Sequence, residues 1–192
     1  MMTGCKPGLP IRWESVKILR NPEAVDMTRL TMAIEQIQGA RTYTLRLLDT
    51  VSPDEWYVSP IECVTHVAWQ VGHLAMAEYR LCLERIRGKR PEDAELIPAD
   101  YLARFGRGSN PDPDVSEETT PEQILEVLER VHAQVMLELP HLSEAELDQP
   151  PVTPHDLFKT KLGSLQWASH HEMLHAGQIG LLRRLLGQAP IS

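Results

Sequence analysis

Two histidines four residues apart, His171 and His175, stand in a stretch from Leu162 to Gly187 whose apolar residues recur at helical spacing. An α-helix turns 100° per residue, so positions i and i+4 share a face about 6 Å apart, and two imidazoles there can grip one ion. With Glu172 between them, His171-Glu172-Met173-Leu174-His175 matches the H-E-x-x-H pattern of zinc peptidases, in which the glutamate activates a water. Such chemistry needs a third ligand, usually downstream, and no Asp, Glu, His or Cys occurs from Ala176 to Ser192. The extended pattern also asks for Gly and His where this chain has Gln178 and Leu181. A peptidase is therefore not expected, and a third ligand must come from upstream.

The elements that would position these groups are helices. Leu30, Ala33, Ile34, Ile37, Ala40, Thr44, Leu45 and Leu48 form a stripe at three-and-four spacing, which predicts a first helix from about residue 26 to 50. A second is expected from about 61 to 87 through Val64, Val67, Val71, Leu74, Ala75 and Cys82, closed by Gly88 and Pro91. Thr120-Pro121-Glu122-Gln123 reads as a capping box with proline at the first helical position, and it opens a third helix that buries Ile124, Leu128, Val131, Val135 and Leu139 before Pro140. The fourth carries the histidine pair and ends near Gly187 and Pro190. No run alternates strictly, so the expected class is all-α.

An approximate internal repeat organises these elements. Val51-Ser52-Pro53-Asp54-Glu55-Trp56 after the first helix parallels Leu142-Ser143-Glu144-Ala145-Glu146-Leu147 after the third, and a proline follows each, Pro60 and Pro150. Ser-x-x-Glu caps a short helical turn, so each half reads as long helix, capped turn, proline-bearing loop, long helix. Two such hairpins predict a four-helix bundle, with Pro91–Glu118 as the long connection between helices 2 and 3. Residues 26–192 would form this domain. Residues 1–25 would be an N-terminal extension packing through Trp13, Val16 and Ile18.

The missing ligand is sought on the second helix, which plays the part of the fourth in the other half. His66 and His73 are seven residues apart there, about 10.5 Å along the axis, so one of them, not both, can reach a shared ion. His73 is favoured, because Gly72 and Ala75 beside it let another helix approach closely. His66 is left as an extra ligand, a proton shuttle or a residue of the core or rim. Cys63 could pair with His66 at three-residue spacing. His170 points about 140° away from His175, and His132, His141 and His155 lack a partner at ligand spacing. A ferritin-like di-iron site is excluded, since Glu172-x-x-His175 has no second Glu-x-x-His on helix two.

The net charge of −8 over 192 residues gives no pull toward nucleic acid, and no stretch approaches the ~20 apolar residues of a membrane span. Cys5, Cys63 and Cys82 are odd in number and lack C-x-x-C spacing, which fits free thiols in a reducing, cytoplasmic setting.

Trp69-x-x-Gly72-His73-Leu74-Ala75, followed nearly a hundred residues later by His171-x-x-x-His175-Ala176-Gly177-Gln178-Ile179, resembles the DinB-like superfamily of metal-binding four-helix bundles. The resemblance covers about Asp26 to Gly187. It implies that His73, His171 and His175 bind a divalent metal ion, and nitrogen ligands suit zinc, nickel or iron. Better characterised relatives are thiol-dependent transferases and isomerases, which implies an enzyme acting on a small-molecule substrate with a low-molecular-weight thiol cosubstrate; three imidazoles also leave a divalent ion an open position that could activate water, as in a hydrolase. The alternative is a non-catalytic metal-binding or stress-related interaction protein. A homodimer is expected through apolar residues that one core stripe cannot absorb: Leu81, Leu83, Leu181, Leu182, Leu185 and Leu186.

Overall fold

The computed structural model describes residues 27–60, 65–111 and 119–191, and all regular structure among them is helical. Helix α1 is Arg29–Leu48. Helix α2 starts as Val67–Tyr79, widens into a π turn at Arg80–Glu84 and finishes as Arg85–Arg87. Two short helices follow, α3 at Asp93–Leu96 and α4 at Ala99–Arg104. Then come α5 at Pro121–Glu138, the short α6 at Glu144–Leu147, and α7 at Lys161–Leu185. The expected extension 1–25, Cys5, Cys63 and the end of the 91–118 connection lie outside the described residues.

Local sequence chemistry sets the helix ends. Thr120 accepts from the Gln123 N–H while Gln123 Oε1 accepts from the Thr120 N–H, and Pro121 occupies the first helical position, where no donor is needed. The two repeat turns behave alike. Glu55 bonds the Ser52 N–H at 3.0 Å in a single 3₁₀ turn, and Glu146 bonds the Ser143 N–H at 2.8 Å ahead of α6. The residue that closes each repeat, Trp56 or Leu147, is buried. Gly88 and Gly187 leave their helices at φ +83° and +90°, a left-handed region that disfavours residues with a Cβ.

The core stripes follow the expected spacing, with one shift in α1. Leu45 is exposed and Leu47 is buried in its place, because Arg41 joins Ile37, Thr44 and Leu48 on the inner face and turns the buried arc toward 47. The broadest packing joins α1 to α7 and α2 to α5, and α2 also rests on α7, so partners come from opposite halves of the chain. Of the leucines expected on a dimer face, Leu81, Leu83 and Leu182 are buried within the chain itself. Leu181 and Leu185 remain exposed, with Leu174 on the same helix.

The π turn in α2 was not anticipated by the apolar spacing. Its closing bond runs from the Arg85 N–H to the Arg80 carbonyl, five residues back, and Ser164 of α7 donates its hydroxyl to the Leu81 carbonyl at 2.7 Å. The helix is thus widened where it faces α7.

Candidate metal centre

His73 comes from the middle of α2, and His171 and His175 lie one turn apart on α7. Because these helices pack together, the ligand nitrogens of all three lie within 4.8 Å of one another. Ring centroids are 4.5 Å apart for His171 and His175, 4.8 Å for His73 and His175, and 5.3 Å for His73 and His171.

Two of the rings are held by groups outside the trio. Nδ1 of His73 lies 2.7 Å from the Phe105 carbonyl at the end of α4, and Nδ1 of His175 lies 2.5 Å from Oε1 of Gln70. A carbonyl oxygen only accepts, so each Nδ1 carries the proton and donates, which leaves the Nε2 lone pair for an ion. The amide of Gln70 is fixed in turn, since its Nε2 donates to Thr65 Oγ1 at 2.8 Å. Trp69 stacks on His73 with centroids 4.7 Å apart and planes 16° from parallel, and it donates Nε1 to Ser109 Oγ at 3.0 Å.

Gly72 admits the Phe105 contact. A Cβ at this position would sit 2.4–2.6 Å from atoms of the Phe105 ring, far inside contact distance. The small residue expected to let another helix approach instead admits a side chain from the connection between α2 and α5.

Burial pushes all three imidazoles below their ordinary range. His171 falls to about 4, with His73 as the second cause, and His175 to about 3, with His171 and His73 adding to the burial. His73 moves the same way through burial and Arg80, against the opposing effect of the Phe105 bond. At neutral pH the trio therefore offers three uncharged donors. Among the described residues, no carboxylate or thiol joins them. Nitrogen-only donors of this kind suit zinc, nickel or iron and leave a divalent ion its full charge.

A family model for the DinB superfamily matches residues 36–179, a span that contains His73, His171 and His175 and three quarters of the chain. The chain belongs to the DinB superfamily. Its members usually bind a metal, which agrees with the three-histidine group. None of the curated proteins matches the chain.

Other sequence candidates in this DinB-superfamily chain lie apart from the trio. His66 caps α2, its Nδ1 accepting from the Trp69 N–H at 3.2 Å, so it marks the helix start rather than supplying a ligand. His170 and His141 are exposed. His132 bonds Glu78 at 2.7 Å. Cys82 is a free, buried thiol that burial pushes well above its ordinary pKa, which makes it a core residue.

Glu172 is not placed as a peptidase base. It points about 100° aside from His171 on α7, is buried, and takes two bonds from Arg41, at 2.8 and 3.1 Å. Arg41 also donates to Glu78 at 2.8 Å and to the Leu128 carbonyl at 3.2 Å. Burial alone would raise the Glu78 carboxyl, but Arg41 and the His132 bond outweigh it and hold the group below the usual range. This cluster joins α1, α2, α5 and α7 immediately behind the histidines.

Sequence reasoning missed Gln70, the Phe105 carbonyl and Arg41. Arg41 had a visible signal, a charged residue four after Ile37 and three before Thr44 on an otherwise apolar stripe. Gln70 sits three residues before His73, yet its aim at α7 depends on how the two helices cross. Phe105 acts through its backbone, which side-chain identity does not reveal.

Proposed function

We propose that this protein is a divalent-metal-dependent enzyme, with His73, His171 and His175 as ligands of zinc, nickel or iron, acting as a transferase with a low-molecular-weight thiol or as a hydrolase. The observation that carries this reading is the convergence of three neutral imidazoles, two of them oriented through Nδ1 by Phe105 and Gln70. These three donors would leave a bound divalent ion an exchangeable position, and the ion would supply a lowered pKa for a thiol or a water there.

The chain's own residues supply the rest. Gln70 and Phe105 fix ring orientation before any ligand arrives, so little reorganisation is needed on binding. Trp69 and the burial of the rings restrict water around the histidines. A recess of about 240 Å³ opens beside His73 and His171, with Met76 and Trp167 in its wall. Such a space favours a small-molecule substrate over the non-catalytic alternative, in which only the ion and the assembly would matter. The four long helices are read as a four-helix bundle, and the exposed Leu181 and Leu185 support a homodimer.

Metal content of purified wild-type, His73→Ala and His171→Ala proteins tests the site. Roughly one divalent ion per chain in the wild type and strong depletion in both variants is expected; full occupancy in both would remove the assignment. Activity is then sought with the loaded protein, a panel of thiols and an electrophile.

A further inference from the structure

The recess beside the histidines is also lined by Arg80, Arg85 and Arg107, and no carboxylate among the described residues lines it. The remaining titratable residue in its wall is His155, stacked on Phe158 with ring centroids 4.3 Å apart. The other strongly held guanidiniums of the molecule find acids within the fold: Arg41 bonds Glu78 and Glu172, and Arg87 bonds Asp93 and Glu138. Arg85 does not. Its Nη1 reaches only the Arg80 carbonyl, at 3.5 Å, and its Nε is buried with no hydrogen-bond partner among the described residues. A buried guanidinium N–H without an acceptor is costly, and an oxyanion relieves that cost. The nearest acid to Arg80 is Glu84, whose carboxylate stands 4.0 Å from Nε and also lies 3.7 Å from Lys89.

The π turn explains why two arginines share this wall. Residues five apart on an α-helix diverge by about 140°. In the widened turn the Arg85 N–H bonds the Arg80 carbonyl directly, so both side chains come to line one recess. π turns of this kind recur at functional sites.

We propose that this recess binds an acidic group of the substrate or cosubstrate, a carboxylate or a phosphoryl group, through Arg85 with Arg80 and Arg107. His73 and Arg80 are seven residues apart, about 10 Å along the helix. The molecule recognised therefore carries its acidic group several bonds from the atom that meets the ion. Burial first, and then Arg85 and Arg107, lowers the pKa of His155, which is in keeping with positive charge gathered at this mouth. The catalytic meaning of the site rests on the metal reading above; the anion contact does not.

Isothermal titration calorimetry with succinate and with inorganic phosphate, on zinc-loaded and on metal-free protein, tests the assignment. Arg85→Gln is expected to weaken binding about tenfold or more, the size of a lost charge-assisted hydrogen bond. Arg80→Gln and Arg107→Gln should each weaken it less, and Arg184→Gln, an exposed site at the end of α7, should leave it unchanged. Preference for succinate identifies a carboxylate ligand, and preference for phosphate a phosphoryl ligand. Unchanged affinity in the Arg80→Gln/Arg85→Gln/Arg107→Gln variant, equal binding of uncharged succinamide, or no binding of either anion at millimolar concentration would overturn the proposal. Far-ultraviolet circular dichroism confirms that each variant is folded. Anion binding that depends on the arginines but persists in His171→Ala would separate this site from the metal: the recess would stand even if no ion bound the histidines.

Discussion

Gln70 Oε1 lies 2.5 Å from Nδ1 of His175, so a side chain of α2 sets the proton position of a candidate ligand on α7. Because His73 stands three residues further along the same helix, α2 supplies both one candidate ligand and the group that orients another. Removing the orienting group should weaken the ion without touching a ligand. Gln70→Ala is expected to lower zinc affinity about 10- to 100-fold, the range seen when such partners of ligating histidines are lost. Competition with a chromophoric chelator reads this directly, and wild-type affinity in the variant would refute the role.

Gly72→Ala should perturb the site through Phe105. The added methyl meets the ring at 2.4–2.6 Å, so the ring must move and take its backbone carbonyl from His73. A stability loss of about 1–3 kcal/mol is expected from overpacking, with weaker zinc binding. In a double-mutant cycle, Gly72→Ala should cost less in a Phe105→Ala background than in the wild type; equal costs would mean that the strain lies elsewhere.

Arg41 joins two buried carboxylates, and taking away the cation leaves both uncompensated. Arg41→Met is expected to cost about 3–5 kcal/mol in urea unfolding, and Arg41→Met/Glu78→Gln/Glu172→Gln to cost less than the single change. Glu172→Gln alone should keep its metal, and neither form should cleave casein. Metal-dependent cleavage by the wild type that vanishes in Glu172→Gln would restore the peptidase reading.

Acid should destabilise the metal-free protein before most carboxylates titrate. Unfolded histidines take up protons near pH 6.5, whereas burial holds His171 and His175 at about 4 and about 3. Between those limits the unfolded chain binds more protons, so stability rises with pH there and is lost as pH falls below about 6.5. From these groups it is flat above about pH 7. Urea unfolding at pH 7 and pH 5 should show a smaller drop in His171→Gln/His175→Gln than in the metal-free wild type; equal drops would count against the burial effect.

Leu181 and Leu185, each 54% exposed, form an apolar strip on α7 with Leu174, at 58%. The homodimer expected through this strip gives twice 21.7 kDa by light scattering at micromolar concentration, reduced by Leu181→Lys/Leu185→Lys. A wild-type mass of 21.7 kDa would exclude it.

The helices and the histidine trio were legible because they depend on local rules: caps at Thr120, Ser52 and Ser143, apolar spacing, and an i,i+4 pair. What escaped depends on three-dimensional approach. Leu45 and Leu47 exchanged places because a buried Arg41 shifted the inner arc, and the Phe105 carbonyl is a backbone group brought in by a connection. The arginine pair escaped for a sharper reason, since an ordinary helix would have sent Arg80 and Arg85 in different directions.

That widened turn makes α2 two helical segments out of phase by about one residue. The segment before it carries Gln70 and His73, and the segment after it carries Arg85. Deleting one residue within Arg80–Glu84 would restore an ordinary ladder and swing Arg85 through about 100°, while leaving the first segment in register. On the proposed reading, the group that selects the ligand and the groups that would hold the ion are separated along one helix, so substitutions beyond the turn would change the ligand recognised without rebuilding the histidine centre.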